Sequence, residues 1–118
     1  MKKGKRDYIH YLEDILSSME KVQEYISDQT FLDFIKDNKT VDAVIRNFEI
    51  IGEASKNIPV DIKKKYSNLP WEEMYRLRNK TTHEYFGIDY EIIWEIVTKH
   101  LPQNQNDIET ILKIEREK

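Results

Sequence analysis

The chain has 118 residues, 39% of them apolar and 35% charged, with a formal net charge of −3 and no cysteine. That is enough for one domain with one core, and the missing cysteines exclude disulfides, thiolate zinc sites and cysteine nucleophiles together. The acidic balance argues against a protein that coats nucleic acid by bulk charge, and no apolar run approaches the roughly 20 residues that a membrane span needs.

The chain opens on the basic stretch Met1-Lys2-Lys3-Gly4-Lys5-Arg6, but Asp7, His10, Glu13 and Asp14 interrupt before any apolar signal segment can form. A cytoplasmic protein with no membrane partner is expected. Strand-like alternation is nowhere sustained, and apolar residues recur instead every three or four positions. Tyr8, Leu12, Ile15, Met19, Val22 and Ile26 place one apolar stripe on a long first helix. Ser27-Asp28 is expected to end it and to cap a short helix carrying Phe31, Leu32, Phe34 and Ile35. Asp37-Asn38 reads as the next break and cap.

A third helix carries Val41, Val44, Ile45, Phe48, Ile51 and Ser55. Gly52 lies inside it at a cost of about 1 kcal/mol relative to alanine, which points to close approach by a neighbouring helix. Pro59 and Pro70 stand where a first helical turn tolerates them. They bracket a short helix from Val60 to Tyr66 and open another at Trp71, whose core face is Trp71, Met74 and Leu77. Gly87 breaks the chain, and Asp89 is placed to cap a helix with Ile92 or Ile93, Ile96 and Val97. Pro102 marks a kink or a new start. Ile108, Ile111 and Leu112 carry a last helix, with a charged tail from about residue 115 to 118 expected to fray into solvent, as the first five residues are. The whole is read as a single all-α domain, 1–118, a bundle of five to seven helices.

Most catalytic classes lack a local signal. No glycine-rich phosphate loop, His-Glu-x-x-His pair or cluster of metal ligands occurs, so no cofactor is expected. From Lys56 to His83, cations at 56, 63, 64, 65, 76, 78 and 80 face only Asp61, Glu72 and Glu73. An ordinary solvated helix face explains that excess better than a nucleic-acid patch, and the same holds for Lys63-Lys64-Lys65. His10 and His100 are read as structural or exposed.

One octapeptide differs: Arg78-Asn79-Lys80-Thr81-Thr82-His83-Glu84-Tyr85 gathers a permanent cation, an amide, an imidazole and a phenol. On one regular helix Arg78 and Tyr85 would lie about 20° apart, but Arg78 and His83 about 140° apart, too far to converge on one small group. Either the helix loosens near Thr82 or a second chain completes the site. Taken singly, Arg78 would be a surface ion-pair partner of Glu73 or Asp89, and Tyr85 a core aromatic.

The pattern Arg-x4-His-x-Tyr with Asn79 after the Arg, followed by Phe86-Gly87-Ile88-Asp89-Tyr90-Glu91-Ile92-Ile93-Trp94, resembles the HepT toxins of the HEPN superfamily. Ile50-Ile51-Gly52-Glu53-Ala54-Ser55-Lys56 resembles that family's middle helix. The resemblance implies a homodimeric helical bundle and a metal-independent endoribonuclease, with Arg78 and His83 catalytic at a cleft between protomers. Asn79 and Tyr85 would support them at the phosphate of an RNA substrate. It further implies a toxin–antitoxin pair, in which a cognate minimal nucleotidyltransferase silences the toxin by transferring AMP to Tyr85. Thr81, Thr82 and Glu84 depart from the family's usual residues, and Glu84 sets a negative charge beside the proposed phosphate site. The competing reading is a non-catalytic helical subunit that docks to a nucleotidyltransferase. Chains of that kind commonly lack an intact Arg-x4-His pair.

Overall fold

Six side chains on one stripe decide where the first helix buries itself. In the computed structural model, which describes residues 5–79 and 89–118, α1 spans Lys5–Ile26. Its Leu12, Ile15, Met19 and Val22 are fully buried, Ile26 is buried, and Tyr8 packs against the core from a half-buried position.

The short α2, Phe31–Lys36, is capped by Thr30 and not by Ser27-Asp28. The Thr30 hydroxyl accepts from the Asp33 N–H at 3.1 Å while the Asp33 carboxylate accepts from the Thr30 N–H at 3.0 Å. This reciprocal box needs an acid three residues after the cap, which Thr30 has and Asp28 lacks. Asp37 starts α3, Asn38–Lys56, as expected. Its carboxylate accepts from the backbone N–H of Thr40 at 3.1 Å and from the Thr40 hydroxyl at 2.6 Å. Those bonds hold the Asp37 carboxyl below its ordinary range.

Pro59 and Pro70 sit at the N-caps of α4, Val60–Lys65, and α5, Trp71–Arg76. Trp71, Met74 and Leu77 are buried as their spacing predicts. After the undescribed stretch, Asp89 caps α6, Tyr90–Glu95, by accepting from the Ile92 N–H at 3.1 Å. Ile93 faces the core and Ile92 does not.

The expected disturbance at Pro102 takes a particular form. Residues Ile96–His100 are π-helical and run directly into α7, Leu101–Arg116. The Leu101 N–H bonds the Ile96 carbonyl, five residues back. In that register the Val97 carbonyl should receive the N–H of residue 102, but proline has none. The Gln23 amide of α1 donates to it instead, at 2.8 Å.

Helix α1 packs against both α3 and α7, α3 against α5, and α2 against α3 and α6. Phe34 meets the ring of Trp94 at 5.2 Å between centroids and the edge of Tyr90 at 6.4 Å, which ties α2 to α6. Every regular element among the described residues is helical, in keeping with the all-α expectation.

The C-terminus departs from expectation. Helix α7 continues to Arg116, and Glu115 is only 2% exposed. It continues the stripe of Ile108, Ile111 and Leu112 and so falls on the buried face, not in a solvated tail. Its carboxylate accepts from Tyr8 Oη at 2.7 Å, from Lys65 Nζ at 2.9 Å and from Tyr66 Oη. Burial alone would raise this carboxyl, yet the bonds from Tyr66, Tyr8 and Lys65 outweigh it and hold it down at about 2. The same burial and the neighbouring charge push the Tyr8 phenol up to about 12. Lys65 therefore closes a polar staple between α1, α4 and α7, where the sequence suggested only a solvated lysine run.

Candidate active site

The site is built where α3 and α5 cross. A methyl group at Gly52 would lie 2.8 Å from the Tyr75 carbonyl oxygen, 3.0 Å from Arg78 Cβ and 3.1 Å from Arg78 N. Only a residue without Cβ permits this approach, since the nearest obstacle is backbone and cannot swing away. The glycine expected to admit a neighbouring helix thus admits the segment that carries Arg78.

Helix α5 stops at Arg76. The Leu77 N–H bonds the Met74 carbonyl, three residues back, and Leu77 and Arg78 form a turn before Asn79 resumes helical geometry. Whether one regular helix runs from Arg78 to Tyr85 falls largely outside the described residues. The turn at Leu77–Arg78 separates α5 from the residues that follow, and Thr82, where loosening was expected, lies outside the described residues.

Arg78 is held from two sides. Its Nη1 lies 2.5 Å from Glu53 Oε2 on α3, and its guanidinium carbon lies 5.7 Å from the centre of the Tyr75 ring on α5. Glu53, and not Glu73 or Asp89, is thus an ion-pair partner of Arg78. An acid on the neighbouring helix comes within reach because Gly52 brings the two helices together. Arg78 keeps about a third of its side chain accessible (33%), so the cation is pinned yet reachable. A cation over an aromatic face has its plane as well as its position restrained.

Asn79 is exposed and helical beside Arg78. His83, Glu84 and Tyr85 lie outside the described residues, so the meeting of Arg78 with His83 is neither supported nor opposed. His10 and His100 are exposed, and His100 lines a cavity of about 480 Å³ with Met74, Leu77, Ile96, Leu101 and Asn104. Among the described residues, no three His, Cys, Asp or Glu gather as metal ligands would, and no helix is long and apolar enough to cross a membrane.

The local excess of cations between Lys56 and His83 is partly neutralised. Arg76 meets Glu72 at 3.3 Å, Lys65 meets Glu115 at 2.9 Å and Arg78 meets Glu53. Among the six of these cations that are described, all but Lys80, three have acidic partners, which favours an ordinary ion-paired surface over a broad anion-binding patch.

Glu53 is the residue that sequence reasoning left without a role. Its signal was nonetheless present, because a glycine inside a helix marks a crossing and the residue beside it must border the crossing element.

Comparison with known proteins gives the family of the chain. The family described as ribonuclease HepT-like matches residues 15–111, a span that contains Gly52, Glu53 and the whole octapeptide. A Methanocaldococcus jannaschii protein, a candidate RNase by name, is 50% identical over 109 residues, which is 92% of this chain and 90% of that protein. A Thermococcus cleftensis protein named as a probable ribonuclease HepT is 45% identical, covering 92% of this chain and 99% of its own length. A Caldanaerobacter subterraneus protein, again a candidate RNase by name, is 42% identical over 90% of this chain and 95% of its own. No solved structure matches. The chain belongs to the HepT-like ribonuclease family.

Proposed function

We propose that this HepT-like chain is a metal-independent endoribonuclease of the cytoplasm, acting as the toxin of a toxin–antitoxin pair. The observation that carries the reading is Arg78, a permanent cation fixed between Glu53 and Tyr75 yet still accessible, at the head of an Arg-x4-His motif. Arginine cannot release its proton and binds phosphate oxygens through parallel hydrogen bonds, so it suits a group whose negative charge grows during reaction.

In the reaction the RNA supplies its own nucleophile. The 2′-oxygen forms a bond to the adjacent phosphorus as the bond to the 5′-oxygen breaks, leaving a 2′,3′-cyclic phosphate and a 5′-hydroxyl. One proton leaves the 2′-hydroxyl and one reaches the departing 5′-oxygen. His83, whose ordinary pKa lies near neutrality, moves protons in this exchange, and a second copy of the motif across a homodimer cleft brings further Arg78 and His83 side chains to it. Asn79 and Tyr85 support the phosphate. Transfer of AMP from ATP by a cognate minimal nucleotidyltransferase, with the Tyr85 oxygen bonding to the α-phosphorus as pyrophosphate leaves and the phenol proton is lost, sets bulk and negative charge in the RNA channel and stops cleavage without refolding the toxin.

The test is cleavage of RNA by the purified protein in EDTA, with end analysis and sedimentation. A dimer, cyclic phosphate ends, and loss of cleavage in His83→Ala with an unchanged helical spectrum are expected. Undiminished cleavage by that variant removes His83 from the mechanism. Mass spectrometry after co-expression with the nucleotidyltransferase should add one AMP at Tyr85, and unmodified Tyr85 with unrestrained cleavage would overturn the regulatory step. Tight complex formation without cleavage under any condition would favour the non-catalytic subunit.

A further inference from the structure

We propose that Glu53 is a positioning residue for Arg78, so that the site spans α3 and the turn after α5 and the motif alone does not define it. The proposal rests on the ribonuclease reading above.

Three contacts converge on one arginine. Gly52 lets the backbone of Arg78 approach α3, with only 3.1 Å between the place of a Cβ and the Arg78 nitrogen. Glu53, the next residue, then meets Nη1 at 2.5 Å, and Tyr75 lies 5.7 Å from the guanidinium carbon. The backbone, one end and one face of the side chain are each restrained by a different neighbour.

This matters because Arg78 lies in a turn and not within α5. A long side chain on a turn samples many rotamers, and each turnover would have to order it again. The Glu53 carboxylate does this in advance. It contacts one terminal nitrogen of a five-donor fork, a geometry suited to orienting a group without enclosing it. Glu53 is itself about half exposed, so its attraction for Arg78 is moderated by solvent. A negatively charged neighbour could instead act as a rival to the phosphate. The two roles predict opposite signs, because a rival's removal strengthens RNA binding and an orienter's removal slows chemistry.

The experiment is steady-state cleavage of a short fluorogenic RNA in EDTA by the full chain. Glu53→Ala should lower kcat about tenfold while KM changes by less than about twofold, and Glu53→Gln, which keeps an acceptor oxygen, should recover much of the loss. In an Arg78→Lys background, Glu53→Ala should cost less than about twofold, since the group it orients has gone. An unchanged or raised kcat, or the same tenfold loss in the Arg78→Lys background, overturns the proposal. A wild-type protein that cleaves nothing overturns the ribonuclease reading instead. The pinning is then judged by NMR of the guanidinium. Separate Nη signals for Arg78 in the wild type should merge in Glu53→Ala, and identical spectra would remove Glu53 as its holder.

Discussion

Two glutamates hold cations in this molecule under opposite conditions. Glu115 is 2% exposed and takes three hydrogen bonds, from α1, α4 and the residue that closes α4. The Glu53 side chain is 53% exposed and meets Arg78 across a helix crossing. A buried carboxylate has to be fully partnered, because an unpaired charge in the interior costs several kcal/mol. An exposed pair is worth little to stability, so its partner can be engaged by something else at little cost. Burial makes the first cluster part of the framework, whereas exposure leaves the second in contact with solvent.

The largest expected effect lies on the exposed side. Arg78→Ala should slow RNA cleavage by about 10²–10³-fold while costing less than about 1 kcal/mol in urea unfolding. A large stability loss would make Arg78 a framework residue and dissolve the contrast. Next is Glu115→Ala, which leaves Tyr8, Lys65 and Tyr66 without their acceptor and should cost about 3 kcal/mol of stability. Cleavage per folded molecule should be unchanged, and a matching drop in kcat would show that the two clusters are coupled.

Acid and base should attack the same buried cluster from both sides. The Glu115 carboxyl is held at about 2, below its ordinary 4.5, so its contribution is present above about pH 4.5 and lost as pH falls towards 2. The Tyr8 phenol is raised to about 12, so its contribution is present below pH 10 and lost as pH rises through 12. On the order of 2 kcal/mol should disappear at the acid end, and Glu115→Gln should flatten that limb of the stability curve. An identical acid limb in the variant would assign it to other carboxylates.

Smaller still is Gly52→Ala. Alanine gains about 1 kcal/mol of helix propensity, but its methyl meets the Tyr75 carbonyl at 2.8 Å. Displacing α5 should leave a net loss of roughly 1–2 kcal/mol, together with slower cleavage because Arg78 moves. A stabilised, fully active variant would mean that the crossing yields easily. The smallest effect is that of Glu53→Ala on thermal unfolding, expected within about 0.5 kcal/mol of wild type.

Much of this framework was legible in the chain. The three-to-four-residue spacing from Tyr8 to Ile26 located α1, Asp37 and Asp89 marked the caps of α3 and α6, and the odd glycine at 52 announced a crossing. The differences have separate physical causes. Thr30 was missed because its capping box depends on a reciprocal bond with Asp33. Glu115 was missed because charge was given more weight than helical phase, which places it directly after Ile111 and Leu112 on the buried face. The partner of Arg78 was sought near it in sequence, whereas Glu53 comes from another helix. Arg78 and Asn79 stand out in the sequence by the octapeptide's composition and by its resemblance to the family. Nothing in either could reveal what would hold Arg78 still.

The π-helical turn before Pro102 has a consequence for how such a chain can evolve. Proline at 102 leaves the Val97 carbonyl without a backbone donor, and Gln23 on α1 supplies one at 2.8 Å. The two positions therefore serve one hydrogen-bonding need although they lie far apart in the chain. A lineage that replaces Pro102 with a residue bearing an N–H releases Gln23 from its duty, while one that loses Gln23 first strands a carbonyl. Among relatives aligned through this helix, proline at 102 and a side-chain donor at 23 should be gained and lost together, with the proline leaving first.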